Sequence, residues 1–272
     1  MDTKDVARIR RVVWRYYKTH GRHDLPWRKT TDPYCILVSE VMLQQTQVSR
    51  VLPKYHEFLA QFPTAQALAQ ASLRDVLVMW QGLGYNRRAK MLHEAAKSVV
   101  TTHQGRMPNT YHGLVQLPGV GPYTARAVCA FAYNDPGGMV ETNIRTVLFH
   151  HHFLDQHEIK DGAVFQVAEL LCPKESAREW YWAMMDYGAH LKAQGVRVNA
   201  KSKHYTKQSA FEGSDRQIRG AIVRLLAVEP TLTECAIIKK IQAVPERVLA
   251  QLGGLVRDEL IARVGSDYML TG

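Results

Sequence analysis

Glu40 lies in the stretch Val38-Ser39-Glu40-Val41-Met42, with apolar residues on both sides. A carboxyl group buried in such a helix loses the solvation of its charged form. Its pKa then rises and it can hold a proton near neutral pH, as a general acid must. A glutamate in an amphipathic helix can equally face solvent, cap a turn or bridge two helices, and the residue types leave both options open. A second feature is LPGVGPYTA, from Leu117 to Ala125. A G-x-G turn between two helices can aim backbone N–H groups outward at the start of the second helix. The helix dipole there favours an anion such as a phosphate. Gly119 and Gly121 also suffice for a plain corner between two helices. Tyr123 follows the turn, either as a functional phenol or as an aromatic that packs the hairpin.

Other candidates fall away on geometry. His150-His151-His152 invites a metal reading, but consecutive helical positions point in different directions and do not share one ion. Cys35, Cys129, Cys172 and Cys235 are scattered and form no C-x-x-C pair, so zinc or iron–sulfur ligation has no local support. They are expected to be reduced and inert, as in an intracellular protein.

The elements that must position these groups are helical. KDVARIRRVVWRYYKTH places Val6, Ile9, Val13 and Tyr17 at three- and four-residue spacing. The stretch CILVSEVMLQQTQVSRVLPKYHEFLAQF continues the pattern, with Pro53 starting a new helix or kinking this one. Ser72 is a natural N-cap for the segment that follows it. Strand alternation is absent before the C-terminus, so the first 190 residues read as all-α. The pattern stops between His190 and Ser214, a stretch with five Lys/Arg and one acid that is expected to be a surface linker. It is either a solvated connection or a phosphate-contacting one, with Lys201, Lys203 and Lys207 as the DNA-facing cations. From Asp215 three short helices and a hairpin around Gly265-Ser266-Asp267 resemble a winged-helix domain. The segment in the recognition-helix position has few cations and a Gly253-Gly254 pair, which argues for packing or backbone clamping over base reading.

The 272 residues are 46% hydrophobic and 22% charged, ordinary for a chain with real cores. No stretch approaches a membrane span, and the charged N-terminus lacks a signal-peptide block. An intracellular protein of the cytoplasm and nucleoid, or of the nucleus, is expected. The net charge of +10 suits a polyanionic partner, most simply nucleic acid, or else a solvated basic surface.

LPGVGPYTA resembles the helix-hairpin-helix of the endonuclease III superfamily of DNA glycosylases. Four further segments occur in order: LPWR (Leu25–Arg28), SEVMLQQTQV (Ser39–Val48), GLGY (Gly82–Tyr85) and MMDYGA (Met184–Ala189). They resemble adenine DNA glycosylases that act on A/G-type mismatches, and the likeness spans about residues 7–190. It implies an all-α core of two helical subdomains with a cleft between them. The expected division is residues 1–190 for this core, 191–214 for the basic linker and 215–272 for the winged-helix-like domain.

The resemblance also assigns roles. Adenine leaves poorly until a ring nitrogen is protonated, and the departing sugar is oxocarbenium-like, so an acid must reach the base while a carboxylate faces the sugar. Glu40 stands where the family keeps its proton donor. Glu141, in VETNIRTV, stands where the family has an aspartate, with Asn143 two residues on; its alternative is a salt bridge to Arg145. Glu141 would stabilise the cationic sugar, as a charge or through a transient covalent state. Tyr123 occupies the place of the nucleophilic lysine of lyase-type relatives, so base removal without strand cleavage is expected. Arg28 and Asp186 match positions that contact the flipped base; alternatively Arg28 pairs with an acid and Asp186 caps a helix. Gln45 and Tyr85 match residues that enter the duplex, or are a polar helix residue and a core aromatic. Backbone at Gly119 and Gly121 would hold a phosphate. Many relatives bind an iron–sulfur cluster through four cysteines after the segment matching Gly188-Ala189. This chain has none there, so no cofactor is expected.

The expected activity is therefore excision of a mispaired base by a monomer acting on double-stranded DNA with a mismatch or damaged base. Adenine is the first candidate base. Thymine or uracil opposite guanine, or hypoxanthine, are the alternatives within the class. A lesion-binding protein with little turnover is the alternative outside it.

Overall fold

The computed structural model describes residues 1–154, 156, 158–198 and 211–272. In chain order its helices are α1 (Thr3–His20), α2 (Pro33–Leu43), α3 (Val48–Gln61), α4 (Ala65–Gln70), α5 (Leu73–Met79), α6 (Arg87–Thr102), α7 (Tyr111–Val115), α8 (Pro122–Tyr133), α9 (Thr142–His151), α10 (Asp161–Leu171), α11 (Ala177–Ala193), α12 (Asp215–Val228), α13 (Glu234–Lys240) and α14 (Pro245–Arg257). Three short strands complete the list among the described residues: β1 (Leu232–Thr233), β2 (Ile261–Val264) and β3 (Asp267–Leu270). Of the described residues, 1–40, 109–116 and 120–198 form one compact unit, and 41–108, 117–119 and 211–272 form another.

The first unit is built around α11. Trp180, Tyr181, Ala183 and Met184 on this helix are fully buried, and α1, α8 and α9 pack against it. The α1 stripe is the one its spacing predicts, burying Ile9, Val13 and Tyr17, and Asp2 caps its start by accepting from the Asp5 N–H at 2.7 Å. Asp32 does the same for α2, accepting from the Tyr34 and Cys35 N–H groups at 2.8 and 3.0 Å. The closest approach is at Gly188 of α11. A Cβ there would lie 2.1 Å from the Asn143 carbonyl oxygen in the first turn of α9. Only a residue without a side chain lets those two helices meet at this depth.

In the second unit α3, α4, α5 and α6 pack together, and α5 also meets α12. Ser72 caps α5 as expected, accepting from the Asp75 N–H at 3.0 Å. The long helical stretch expected from Cys35 to Phe62 is broken: α2 ends at Leu43 and α3 begins at Val48. Gln45, between them, has a left-handed backbone with φ of 54°. Pro53 lies inside α3 rather than at its start. At the C-terminus three helices and a hairpin form where the pattern places them. β2 pairs antiparallel with β3 across Gly265, whose φ of 62° suits the tight turn. β1 pairs with the other edge of β3, giving the order β1-β3-β2. At two residues, β1 is too short for alternation to reveal it.

Candidate active site and nucleic-acid interface

Glu40 is buried, 6% exposed, on α2. The Tyr123 hydroxyl of α8 donates to its Oε2 at 3.1 Å. Burial is the largest influence on this carboxyl and raises its pKa to about 7; repulsion from Glu141 adds to the rise, while the Tyr123 bond and the Arg28 charge oppose it. The solvent-facing alternative is thus removed, and near neutral pH the group is divided between acid and carboxylate. Burial and the two carboxylates push the Tyr123 phenol well above its ordinary value, so it remains a neutral donor.

Glu141 is the N-cap of α9. Its Oε1 accepts from the Asn143 and Ile144 N–H groups at 2.7 and 2.9 Å, and its Oε2 from the Asn143 side-chain amide at 3.2 Å. Its pKa is raised by burial, against which these bonds and the charge of Lys192 act. The first turn of α9 therefore fixes the direction of this carboxylate, and Gly188 fixes the first turn of α9 against α11. Arg145, the alternative partner read from the sequence, pairs with Asp161 at 2.7 Å.

Arg28 and Asp186 are joined to each other. Arg28 forks onto the carboxylate with distances of 2.7 and 2.9 Å, and its side chain is only 4% exposed. Arg22 adds its backbone N–H at 2.8 Å and its Nε at 2.7 Å, so both oxygens of Asp186 are occupied. These donors outweigh burial and lower the Asp186 pKa.

Gly119 has φ of 71°, and a Cβ on it would lie 2.4 Å from the Cβ of Met91, so the turn requires glycine there. Gly121 is the N-cap of α8, with no side-chain hydrogen bond capping that helix, and Pro122 occupies its first turn. A helix start of this kind leaves backbone N–H groups for an outside acceptor.

Gln45 and Tyr85 both sit at left-handed backbone positions, φ 54° and 49°, and both are exposed. The guanidinium of Arg88 on α6 ties the two loops together. Its Nη1 donates to the carbonyls of Val41, Met42 and Gln44 at 2.8, 3.0 and 2.6 Å. Its Nη2 donates to Thr46 Oγ1 and to the carbonyls of Leu83 and Gly84 at 3.1, 3.0 and 3.1 Å. Burial lowers its pKa to about 10, which still leaves it charged at neutral pH.

Sequence reasoning missed Arg22, Arg88 and Lys192, and it marked Gly188 in the MMDYGA segment without its approach to α9. Gly188 and Lys192 are four apart on α11, a spacing that puts both on the face toward α9. Arg22 lies 164 residues from Asp186 and has no local signal. His150 and His151 end α9 with their ring centres 4.7 Å apart, His152 is the residue that follows the helix, and His151 shares a hydrogen bond with the Tyr187 hydroxyl at 3.0 Å; no metal-ligating group of three is found among the described residues. Lys201, Lys203 and Lys207 lie outside the described residues. Among those described, no helix is long and apolar enough to cross a membrane.

Residues 38–174 match the model of the HhH-GPD superfamily base excision DNA repair proteins. An adenine DNA glycosylase of Mycolicibacterium smegmatis is 38% identical over 224 residues, 76% of each chain. Among solved structures, a thermostable thymine-DNA glycosylase aligns with a TM-score of 0.63 and 28% identity, over 68% of this chain and 87% of that one. A non-covalent endonuclease III–DNA complex aligns with a TM-score of 0.59 at 22% identity, over 71% and 90%, and speaks for the fold alone.

Proposed function

Because the chain belongs to the HhH-GPD superfamily of base excision DNA repair proteins, we propose that it is a monofunctional DNA glycosylase that removes a mispaired adenine from double-stranded DNA. The observation that carries this is Glu40, a buried carboxyl with a pKa near 7, bonded to Tyr123 and facing the charge of a second carboxylate. Adenine requires a proton on a ring nitrogen before it can leave, and Glu40 in its acid form supplies one. The C1′–N9 bond then breaks, and adenine departs with the bonding pair as a neutral base. Glu141, aimed by three donors on α9, offers its negative charge to the cationic sugar, with Asn143 supplying two of those donors. Water adds at C1′ and returns one proton to a carboxylate, leaving an abasic sugar in an intact strand.

The same proposal gives Gln45 and Tyr85 the stacking places vacated in the duplex, and the α8 N-terminus beside Gly119 and Gly121 a backbone phosphate. Contact of Arg28 and Asp186 with the base requires Asp186 to release one of its present donors; the half-exposed side chain of Arg22 is the one free to move. Strand cleavage is not part of the proposal, since the hairpin carries tyrosine and not lysine. The charge of Lys192 acts on Glu141, which makes this lysine the amine whose removal tests that point. No cluster or metal is proposed.

One observation favours a second reading within the class. The thymine-DNA glycosylase fold match, at 28% identity, is the most similar of the solved structures named above. Pyrimidines leave without a buried acid, so the two readings differ in what Glu40 is for. Single-turnover base release from duplexes carrying A opposite G or 8-oxoguanine, and T, U or hypoxanthine opposite G or T, separates them. Release of adenine alone is expected. Release of thymine or uracil would replace the reading, and tight binding without product would make the protein a lesion binder. Borohydride is expected to trap no covalent complex; trapping lost in Lys192→Ala would add a lyase step.

A further inference from the structure

Tyr85 is held more firmly than an exposed aromatic at a loop tip needs to be. The residue is 36% exposed and its backbone left-handed. Two guanidinium groups lie over the ring, those of Arg88 and Arg216, each 5.4 Å from its centre. Arg216, on α12, also donates to the Tyr85 hydroxyl and lies 5.9 Å over the Phe211 ring. The two arginines do different work. Arg88 fixes the loop through six backbone and side-chain acceptors. Arg216 comes from 131 residues away and meets the ring and its hydroxyl directly. The helices that deliver it are themselves anchored near this loop. Lys90 on α6 donates to the Asp258 carbonyl at 2.9 Å and pairs with Glu259, and Arg219 pairs with Asp258. The C-terminal segment thus reaches the Tyr85 loop by a specific pair of contacts.

We infer that Arg216 is a positioning residue for DNA engagement: through it residues 211–272 set the Tyr85 ring before DNA arrives, and act on mismatch recognition by way of that ring. This rests on the proposed function, in which Tyr85 enters the duplex. A ring ordered in advance loses less side-chain freedom on insertion, so the energy of stacking appears in binding rather than in ordering. Cation–π contact and the hydroxyl bond together hold that order.

The test uses the full chain and a duplex with one A/G mismatch, the adenosine carrying a 2′-fluoro sugar to resist base loss, against the matched duplex. Wild type is expected to prefer the mismatch. Arg216→Ala should shrink that preference by about 5- to 20-fold, the range for losing one cation–π contact and one hydrogen bond. Arg216→Lys should recover only part of it, and Tyr85→Phe, which loses the hydroxyl bond alone, should fall between. In a Tyr85→Ala background, Arg216→Ala should change the preference less than about 2-fold, because pairs acting through one another are not additive. The salt slope of binding should stay constant. An equal loss in the Tyr85→Ala background, or a slope reduced by about one, would mean that Arg216 meets a phosphate itself and would overturn the inference. Unchanged preference in both Arg216→Ala and Tyr85→Phe would overturn it too. A wild type with no mismatch preference would instead overturn the proposed function together with what rests on it.

Discussion

Two carboxylates, Glu40 and Asp186, are buried to nearly the same degree, 6% and 3% exposed, and their pKa values move in opposite directions. Burial raises both. What differs is the company. Asp186 accepts from a fork on Arg28 and from Arg22. Glu40 has one phenol donor, with the Glu141 carboxylate and the more weakly felt Arg28 charge within electrostatic reach but not bonded to it. A full cation nearby restores what desolvation takes from the charge; a neutral donor does not. The Asp186 region therefore holds a settled charge, and the Glu40 region keeps an unsettled proton. Buried acids with a proton to give at neutral pH are costly to keep, so such a region points to chemistry where the other does not.

The contrast is sharpest if Glu40 is made unable to ionise. Glu40→Gln keeps the shape and removes the proton. Single-turnover base release should fall by about 100- to 10,000-fold, the range for general acid catalysis, while duplex affinity stays within a few-fold. The same variant should gain stability. The folded pKa lies above the unfolded one, so the folded state binds the extra proton between pH 4.5 and about 7. Wild-type stability is then greatest below that window and is lost as pH rises through it, by on the order of 3 kcal/mol. Above pH 7 Glu40→Gln should melt in urea later than wild type, and the gap should vanish near pH 4.5. A variant with full activity, or one less stable at pH 8, would remove the distinction between the two regions.

Asp186→Asn attacks the other side of the comparison. It leaves the Arg28 guanidinium buried without its counter-charge, which costs about 3–5 kcal/mol at neutral pH. The folded pKa of Asp186 is lowered, so its contribution is present above the unfolded pKa and is lost as pH falls through the folded one. Urea midpoints of wild type and variant should differ widely at pH 7 and converge in acid. Equal midpoints at pH 7 would mean that Asp186 is not structural and would return it to base contact alone.

Glu141 lies between these extremes, since burial raises it while backbone N–H groups hold its charge. Glu141→Gln should slow base release at least ~100-fold, as loss of a charge placed for the transition state does. Glu141→Asp retreats by one methylene from a cap whose Oε1 already serves two N–H groups at 2.7 and 2.9 Å. Aspartate is itself a favoured N-cap, so the helix should survive and the rate should report the new position of the charge. Full activity in Glu141→Gln would send the search for the sugar-facing group elsewhere.

How much of this was legible depended on distance along the chain. Ser72 as a cap, the Ile9, Val13 and Tyr17 stripe, and the three C-terminal helices with their hairpin all follow from neighbours within a few residues. The burial of Glu40 did not, because its apolar neighbours suit a solvent-facing acid as well, and its Tyr123 partner comes from 83 residues away. The break between α2 and α3 did not, because the apolar pattern runs on through Gln45 while the backbone turns left-handed to satisfy Arg88, 44 residues from the Gln44 carbonyl it holds. Glutamate is not a preferred cap, so VETNIRTV gave no sign that Glu141 starts α9. The Arg22–Asp186 pair and the approach of Gly188 to Asn143 are tertiary facts with no sequence period. Motif resemblance marked Asp186 and Gly188 as residues of interest without saying what they touch.

The smallest expected effect tests what kind of company Glu40 keeps. Tyr123 donates to Oε2 and favours the charged form, so it opposes the rise caused by burial. Tyr123→Phe removes only that donor. With a hydrogen bond to a charged group worth about 1.5–3 kcal/mol, the Glu40 pKa should rise by roughly one unit. The high-pH limb of base release, where the acid is lost, should move upward by that amount, and activity at pH 8 should increase relative to pH 6. The sign is the informative part. A Tyr123 that served as the acid would leave a slower enzyme with the limb gone or moved down. A Tyr123 that merely packs the hairpin would leave the limb in place, and the phenol would then have to be struck from the groups that tune Glu40.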